Sequence, residues 1–279
     1  MKKAIALDIG GTNLRCALIN EKYEIEKVLI KNTLTGSLEA FLEEVAKIIE
    51  EIGLSKDVVG IAMGVPGKVR WDGFIPELPN IGIKNIPLAE FINEKFHLTT
   101  TILNDAAVAA LGEAVLGNGE GYETVFFITI STGVGGALVR NKRIIVADDE
   151  IGHRTIKYKD SYYEFEKLFS GNGIVRLCKL NSLEVENAYH FFLLKDRQDE
   201  LALKIYDVWI KNISSLIQYI KKYFEVDVIV MSGGVIKSSQ YFFDDLIKLN
   251  PNVTIKIAKN SQNAGLIGAS YCALNNYNS

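Results

Sequence analysis

The sequence predicts an α/β protein built as two related lobes around a cleft, and three observations predict it. Short apolar runs of strand type alternate with amphipathic helical runs along most of the 279 residues. An apolar strand, a turn rich in Gly and Thr and a second apolar strand occur at the N-terminus and again after residue 124, which hints at an internal duplication. Small-residue turns at 8–13, 131–136 and 232–234 each follow an apolar strand and lie roughly a hundred residues apart. That spacing is hard to place on one dinucleotide-binding unit and fits a cleft between two domains.

The elements follow in order. AIALDI (4–9), LRCALI (14–19) and KVLIK (27–31) read as strands joined by tight turns, an antiparallel start. From Leu38, apolar residues at 41, 42, 45, 48, 49 and 52 recur at spacings of three and four, predicting a helix that Gly53 stops. VVGIAMGV (58–65) is a strand. Four of the five prolines fall between Pro66 and Pro87, predicting a long ordered loop of the kind that carries function. TTTILND (99–105) is a strand running into the Ala-rich helix AAVAALGEAV, and TVFFITI (124–130), ALVR and IIVAD repeat the opening pattern. A long helix is predicted over 199–224, then the buried strand VDVIVMSGG (226–234) and a closing helix NAGLIGASYCAL (263–274). This order divides the chain into a small N-terminal lobe, 1–103, completed by the C-terminal helix at about 264–279, and a large lobe, 104–263.

Charge and composition narrow the partners. With 31 basic and 34 acidic residues the net charge is −3, too weak a field to hold a phosphate backbone or an anionic membrane. No apolar run reaches the length of a bilayer span, and the N-terminus reads as a strand and not as a leader. Three cysteines, Cys16, Cys178 and Cys272, are odd in number and far apart, which suits a reducing, cytoplasmic setting.

Chemistry concentrates in the turns. In DIGGTNLR, Gly10 and Gly11 let the backbone approach an anion, Thr12 and Asn13 add short donors, and Asp8 at the strand end can hold Mg²⁺ directly or through water. The alternative is a plain hairpin turn. STGVGG (131–136) and SGG (232–234) offer the same unobstructed backbone, whereas neither the dinucleotide fingerprint nor the P-loop pattern occurs.

These turns, with GVPG (64–67), PN (79–80), LNDAAVAALGE (103–113), EIGH (150–153), FEKLFSGNGIVR (165–176) and AGLIGA (264–269), resemble the ROK sugar kinases of the actin, Hsp70 and hexokinase superfamily. The likeness runs through nearly the whole chain in the family's order. It implies a two-lobed actin-like ATPase (ribonuclease H-like) fold, with a mixed β-sheet and flanking helices in each lobe. It also implies an ATP- and Mg²⁺-dependent transfer to a hexose, most simply the 6-OH of glucose, with N-acetylmannosamine, N-acetylglucosamine or fructose as alternative acceptors. A homodimer is implied as well.

By the resemblance Asp105 is the general base, which the loose transition state of phosphoryl transfer permits a carboxylate to be; a helix N-cap is its other reading. Gly67, Asn80, Asn104, Asp105, Glu150, His153 and Glu166 would bind the sugar. Asp8, Gly10, Gly11, Thr12, Asn13, Arg15, Thr132, Gly133, Gly135, Gly136, Gly233 and Gly234 would bind ATP, with Asp8 also serving the metal. His153 can equally be an ordinary hydrogen-bonded histidine, and Glu166 a solvated helix residue. An actin-like ATPase switch and a silent sugar sensor are the readings from other classes. The switch would have no use for the hydroxyl-binding set, and the sensor none for Asp8 and Asp105 together. No winged helix precedes Asp8, so the family's DNA-binding regulators are the poorer match.

The chain departs from the family at one place. Members usually carry a zinc between EIGH and the later glutamate, held by the histidine and three cysteines. Here the segment is HRTIKYKDSYYEFE, without cysteine, and one histidine cannot supply four ligands. No zinc is expected, and Tyr158, Tyr162, Tyr163 and Phe165 are expected to pack in its place. Ser131 also stands where the family usually has glycine.

Overall fold

A computed structural model of the chain describes residues 1–70, 72–78, 80–149 and 151–277. The first sheet is entered by β1 (Lys3–Ile9), β2 (Asn13–Asn20) and β3 (Ile25–Asn32), an antiparallel meander as the sequence predicts. Helix α1 (Leu38–Ile52) follows. Ser37 caps it by accepting from the Ala40 N–H at 3.3 Å, Gly53 ends it at φ 106°, and Phe41, Leu42, Val45, Ile48, Ile49 and Ile52 are buried. At about 1.5–3 kcal/mol per large apolar side chain, that stripe and not helix propensity holds α1 in place.

Strand β4 (Val58–Val65) returns parallel to β1. The Pro66–Pro87 region is more regular than a loop: it holds a hairpin, β5 (Ile75–Leu78) and β6 (Ile83–Ile86), whose four end residues Ile75, Leu78, Ile83 and Ile86 are buried. With apolar residues only at the ends of each four-residue strand, no alternation marks them in the sequence. Helix α2 (Leu88–Phe96), β7 (Thr100–Asn104) and α3 (Asp105–Leu116) complete the first half.

The second half repeats the design. β8 (Thr124–Ile130), β9 (Val134–Arg140) and β10 (Arg143–Asp149) form another meander. The excursion that follows comprises the hairpin β11 (Thr155–Tyr158) and β12 (Ser161–Glu164), then α4 (Glu166–Phe169), α5 (Gly171–Leu180), α6 (Ala188–Asp196) and the long α7 (Glu200–Phe224). β13 (Val228–Ser232), α8 (Phe243–Leu249), β14 (Ile255–Ile257) and α9 (Ala264–Leu274) close the chain.

The sheets have the orders β3-β2-β1-β4-β7 and β10-β9-β8-β13-β14. Each is an antiparallel meander extended by two parallel strands, in the same sequence of directions, so the duplication hinted at by the sequence exists in the topology. Helix α9 packs on β1 and β4 and crosses α3. One apolar core lies beneath the second sheet around Phe126, Phe169, Phe192, Trp209 and Phe242, a second lies between the first sheet and α1, and a third joins α3 and α9 to both sheets. Among the described residues no helix is long and apolar enough to cross a membrane.

Candidate active site

In the first sheet, the parallel strands β1, β4 and β7 end on one edge, the usual place for ligands in such sheets. The register puts Asp8 beside Gly64 and Gly64 beside Leu103. At about 4.8 Å per strand, the β1 turn and the Asn104-Asp105 corner stand about 10 Å apart along that edge.

The β1 turn is tightly made. The Gly10 N–H donates to the Asn13 carbonyl at 2.9 Å, and Thr33, just after β3, braces the turn by donating its hydroxyl to Gly10 O at 2.7 Å and its N–H to Thr12 O at 2.9 Å. Thr12 and Asn13 are exposed, and Asn13 already belongs to β2. Gly11 must be glycine for a reason beyond the turn: a Cβ there would come within 2.9 Å of Asn80 Cβ. The turn and the Asn80 loop are therefore in contact.

Asp8 faces Arg15 across the β1–β2 ladder, with Oδ2 at 3.7 Å from Nη1. Arg15 is also held by the Gln262 carbonyl and by Asn263 Oδ1, the latter at 2.7 Å. Burial pushes the Asp8 carboxyl above its ordinary value, and Arg15 only partly opposes that shift. A carboxylate so weakly compensated suits a divalent cation. Gly265 lies opposite without a side chain, and a Cβ there would sit 3.5 Å from Asp8 Cγ, so the residues present fit Mg²⁺.

The second turn is shorter than 131–136. The Ser131 N–H donates to Gly133 O at 2.9 Å, which closes the turn at Gly133. Gly135 and Gly136 lie within β9, paired with Thr129 and Ile128. Gly136 serves packing, because a Cβ there would meet the Phe126 ring at 2.6 Å. Thr132 is exposed. The start of α5 backs the turn: Ser170 donates its hydroxyl to Thr132 O at 2.8 Å, and the Gly171 N–H donates to Ser131 O at 2.6 Å.

At the third turn Gly233 has φ 103° and packs on the Ile130 backbone, leaving no room for a side chain, while Gly234 faces open space. Two cavities flank this turn. One, of about 320 Å³, is lined by Gly233, Gly234, Lys237, Ile257, Ala258 and Gln262. The other, of about 390 Å³, includes Thr132, Asn172, Glu186, Tyr189 and Gly234.

The Asn104-Asp105 corner resolves the question of the helix cap. Asn104, and not Asp105, caps α3, its Oδ1 accepting from the Ala106 and Ala107 N–H groups at 2.9 and 3.1 Å. Its Nδ2 donates to Gly67 O at 3.0 Å, where Gly67 turns the chain with φ 87°. Asn104 is thus largely committed to the protein, with one amide hydrogen left for a ligand. Asp105 is the first residue of α3, half-buried, with Oδ1 accepting from the Ala106 N–H at 2.8 Å. Asp105 thus keeps part of its surface accessible, and Asn80, which meets Gly11, is exposed.

Glu150 lies outside the described residues, as does Pro79. His153 and Glu166 come together through the hairpin: His153 Nδ1 is 3.2 Å from Glu164 Oε1, and His153, Glu164 and Glu166 have ligand atoms all within 4.8 Å of one another. Glu166 is no solvated helix residue. Its Oε2 accepts from the Val134 N–H at 3.2 Å, and a Cβ on Gly133 would approach that oxygen to 2.6 Å. The family's zinc does not fit here. The ammonium of Lys167 already lies 3.2 Å from Glu166 and 3.8 Å from Glu164, and the buried cysteines sit in β2, α5 and α9.

Other contacts brace the hairpin. Tyr158 Oη pairs with Asn181, Lys159 Nζ donates to Leu180 O at 2.8 Å, Arg154 stacks 3.4 Å over the Tyr219 ring, and Phe165 packs on Phe169. Tyr163 is half-buried, but Tyr162 is 72% exposed and takes no part in this packing.

Three supports were not read from sequence: Thr33 beneath the first turn, Ser170 beneath the second, and the Gln262-Asn263 pair around Arg15. Ser170, in the quoted FSGNG, carries a signal as the N-cap before a helix. Thr33 and Gln262 have none, because Thr33 acts on the distant backbone of Gly10 and Thr12, and Gln262 acts through its own carbonyl on the distant Arg15 side chain.

Comparison with known proteins agrees with this geometry. The chain is 27% identical to a glucokinase of Halalkalibacterium halodurans, covering 99% of this chain and 96% of that protein. It is also 27% identical to an N-acetyl-D-glucosamine kinase of Histophilus somni, over 90% of each. Its fold matches the crystal structure of a ROK family glucokinase from Streptomyces griseus in complex with glucose and AMPPNP, with TM-score 0.74, 22% identity and coverage of 98% and 99%. The model of the ROK family itself matches residues 4–276. With duplicated sheets, three small-residue turns at strand ends and a family match through nearly the whole chain, this protein belongs to the ROK family.

Proposed function

We propose that the protein is an ATP-dependent hexose kinase that transfers the γ-phosphoryl group to the 6-OH of glucose or a close relative. The observation that carries this reading is the alignment of Asp8, Gly64 and Leu103 on one strand edge, which sets a phosphate-type turn next to a corner ending in a half-buried carboxylate. The contact of Gly11 with Asn80 sets the turn against the same 66–87 region whose Gly67 carbonyl Asn104 holds.

In this reading the N–H groups around Gly11–Thr12 and Thr132–Gly133 cradle the phosphates, and the nucleoside lies against Gly233 and Gly234. Asp8 would hold Mg²⁺, which would neutralise phosphate charge there when bound. Gly67, Asn80, Asn104, Glu150, His153 and Glu166 orient the sugar. Asp105 accepts the proton of the 6-OH as that oxygen bonds to the γ-phosphorus and the bridging bond to ADP breaks, so the products are the sugar phosphate, ADP and a protonated carboxyl. Lobe closure keeps water, a competent competing nucleophile, from the phosphorus.

The Histophilus relative, as similar in identity as the glucokinase, favours N-acetylhexosamines as the second reading of the acceptor. ADP release measured with ATP, Mg²⁺ and a panel of glucose, mannose, fructose, N-acetylglucosamine and N-acetylmannosamine tests both. Turnover that depends on one of these sugars is expected. ATP hydrolysis indifferent to all of them would point to a nucleotide switch, and sugar binding without turnover to a sensor.

A further inference from the structure

Glu113, in α3, is fully buried. Its carboxylate accepts three backbone N–H bonds: Oε1 from Asn260 at 2.7 Å, and Oε2 from Lys259 and from Asn118, each at 3.0 Å. Asn118 adds a parallel tie by donating Nδ2 to Ile257 O at 2.7 Å. Gly117 is small because a Cβ there would overlap the Glu113 carboxylate. Nothing in the phosphoryl transfer described above uses this group, although it is a charged side chain set in a run of small apolar residues.

What it joins gives it a role. Helix α3 opens with Asp105. Segment 257–262 supplies Ile257, Ala258 and Gln262 to the wall of the cavity beside Gly233 and Gly234. One step further, Gln262 and Asn263 hold Arg15, the partner of Asp8. A single carboxylate therefore couples the helix that presents the acceptor side to the segment that shapes the donor side. An ionised carboxylate is acceptor-only and can satisfy all three N–H groups at once, with the shorter, stronger bonds that charge brings.

Resting on the kinase reading above, we propose that Glu113 is a positioning residue for phosphoryl transfer: it holds the Lys259 and Asn260 amides so that the nucleotide-side segment 257–263 keeps its register with the helix bearing Asp105.

Glu113→Gln tests this, because an amide NH₂ must then face a backbone donor. The expected result is a rise of about tenfold in both the KM and the Kd for ATP, since a lost charge-assisted bond plus an unsatisfied N–H displaces the segment. The hexose Kd should stay within about twofold, because the acceptor loops are untouched. Asn250→Ala is the comparison: it disrupts a buried polar cluster with Ser214, Gln218 and Leu246 at the far end of β14, and should lower the melting temperature without changing ATP affinity.

An unchanged ATP KM and Kd in Glu113→Gln would overturn the proposal, as would an equal loss of ATP affinity in Asn250→Ala. Should Glu113→Gln fail to fold, Glu113→Asp, which keeps the charge but shortens its reach to the Lys259 and Asn260 amides, decides by the same readouts. ATP Kd is measured with a fluorescent nucleotide, independently of turnover. A wild-type protein that binds ATP but phosphorylates no sugar thus defeats the kinase reading while the binding comparison still judges the role of Glu113.

Discussion

Gly268 of α9 lies so close to the carbonyl oxygen of Val108 in α3 that a Cβ at 268 would overlap it, and Gly112 stands in the same relation to the Ala264 carbonyl. The two helices cross backbone to backbone. Gly268→Ala has to part them or bend one, at an expected cost of about 3 kcal/mol. Urea unfolding measures it, and a loss below about 0.5 kcal/mol, the size of an ordinary surface change, would show the crossing to be loose.

Replacing Asp105 with Ala should lower phosphoryl transfer by about 10²–10⁴-fold, the range of a general base. The hexose Kd should hold, and the melting temperature should fall less than in an Asn104 variant, since the main cap of α3 belongs to Asn104 and Asp105 adds its bond to the Ala106 N–H. A variant with near-normal kcat removes Asp105 from the role of base.

Asn104→Ala breaks both the cap and the strut to Gly67. About 1–2 kcal/mol of stability should go, and the KM for sugar should rise more than the KM for ATP. Equal rises would mean that the strut does not serve the sugar loop.

Asp8 gives a pH signature. Its carboxyl is held above the ordinary 3.8 by burial, so between 3.8 and the raised value the folded chain binds more protons than the unfolded chain, and stability falls as pH rises through that window. Asp8→Asn should therefore melt no lower than wild type near pH 7 without nucleotide, the difference vanishing in acid below the unfolded value, while binding of Mg²⁺ with ATP is lost. A variant less stable at neutral pH would mean that Arg15 outweighs burial.

Burial pushes Cys16, Cys178 and Cys272 up to about 12, so the folded protein should leave a thiol reagent unreacted and release three equivalents only on unfolding. Dialysis against a chelator should leave the melting temperature unchanged. One tightly held zinc per chain, lost together with stability, would overturn the account of the hairpin as braced by Tyr158, Arg154 and Phe165.

The main strands and long helices were legible because burial imposes a period: α1 shows its stripe from Phe41 to Ile52, and β4 and β8 are continuous apolar runs. Among the elements that escaped, β5 and β6 are apolar only at their two ends and so do not alternate, and the four-residue helix α4 makes barely one turn, too little for a stripe to repeat. At the site, the motif strings marked the three turns and the corner between β7 and α3, which the structure sets at strand ends. Two details were not. That Gly135 and Gly136 are ladder residues depends on the register with Thr129 and Ile128, and the capping role of Asn104 depends on the exact corner between β7 and α3. Both are set by partners that sequence spacing does not reveal.

The repeated sheet order has a last consequence. In the first sheet the turn is preceded by the facing pair Asp8 and Arg15; in the second the corresponding strand position is the facing pair Thr129 and Gly135. The two halves share a scaffold, but the ladder pair before the turn is charged in the first, and in the second the carboxylate at the turn comes from Glu166 outside the sheet. A polyanion lodged between the turns would meet the Asp8–Arg15 couple on one side and the Glu166 carboxylate on the other, so the duplicated frame is not symmetric in charge.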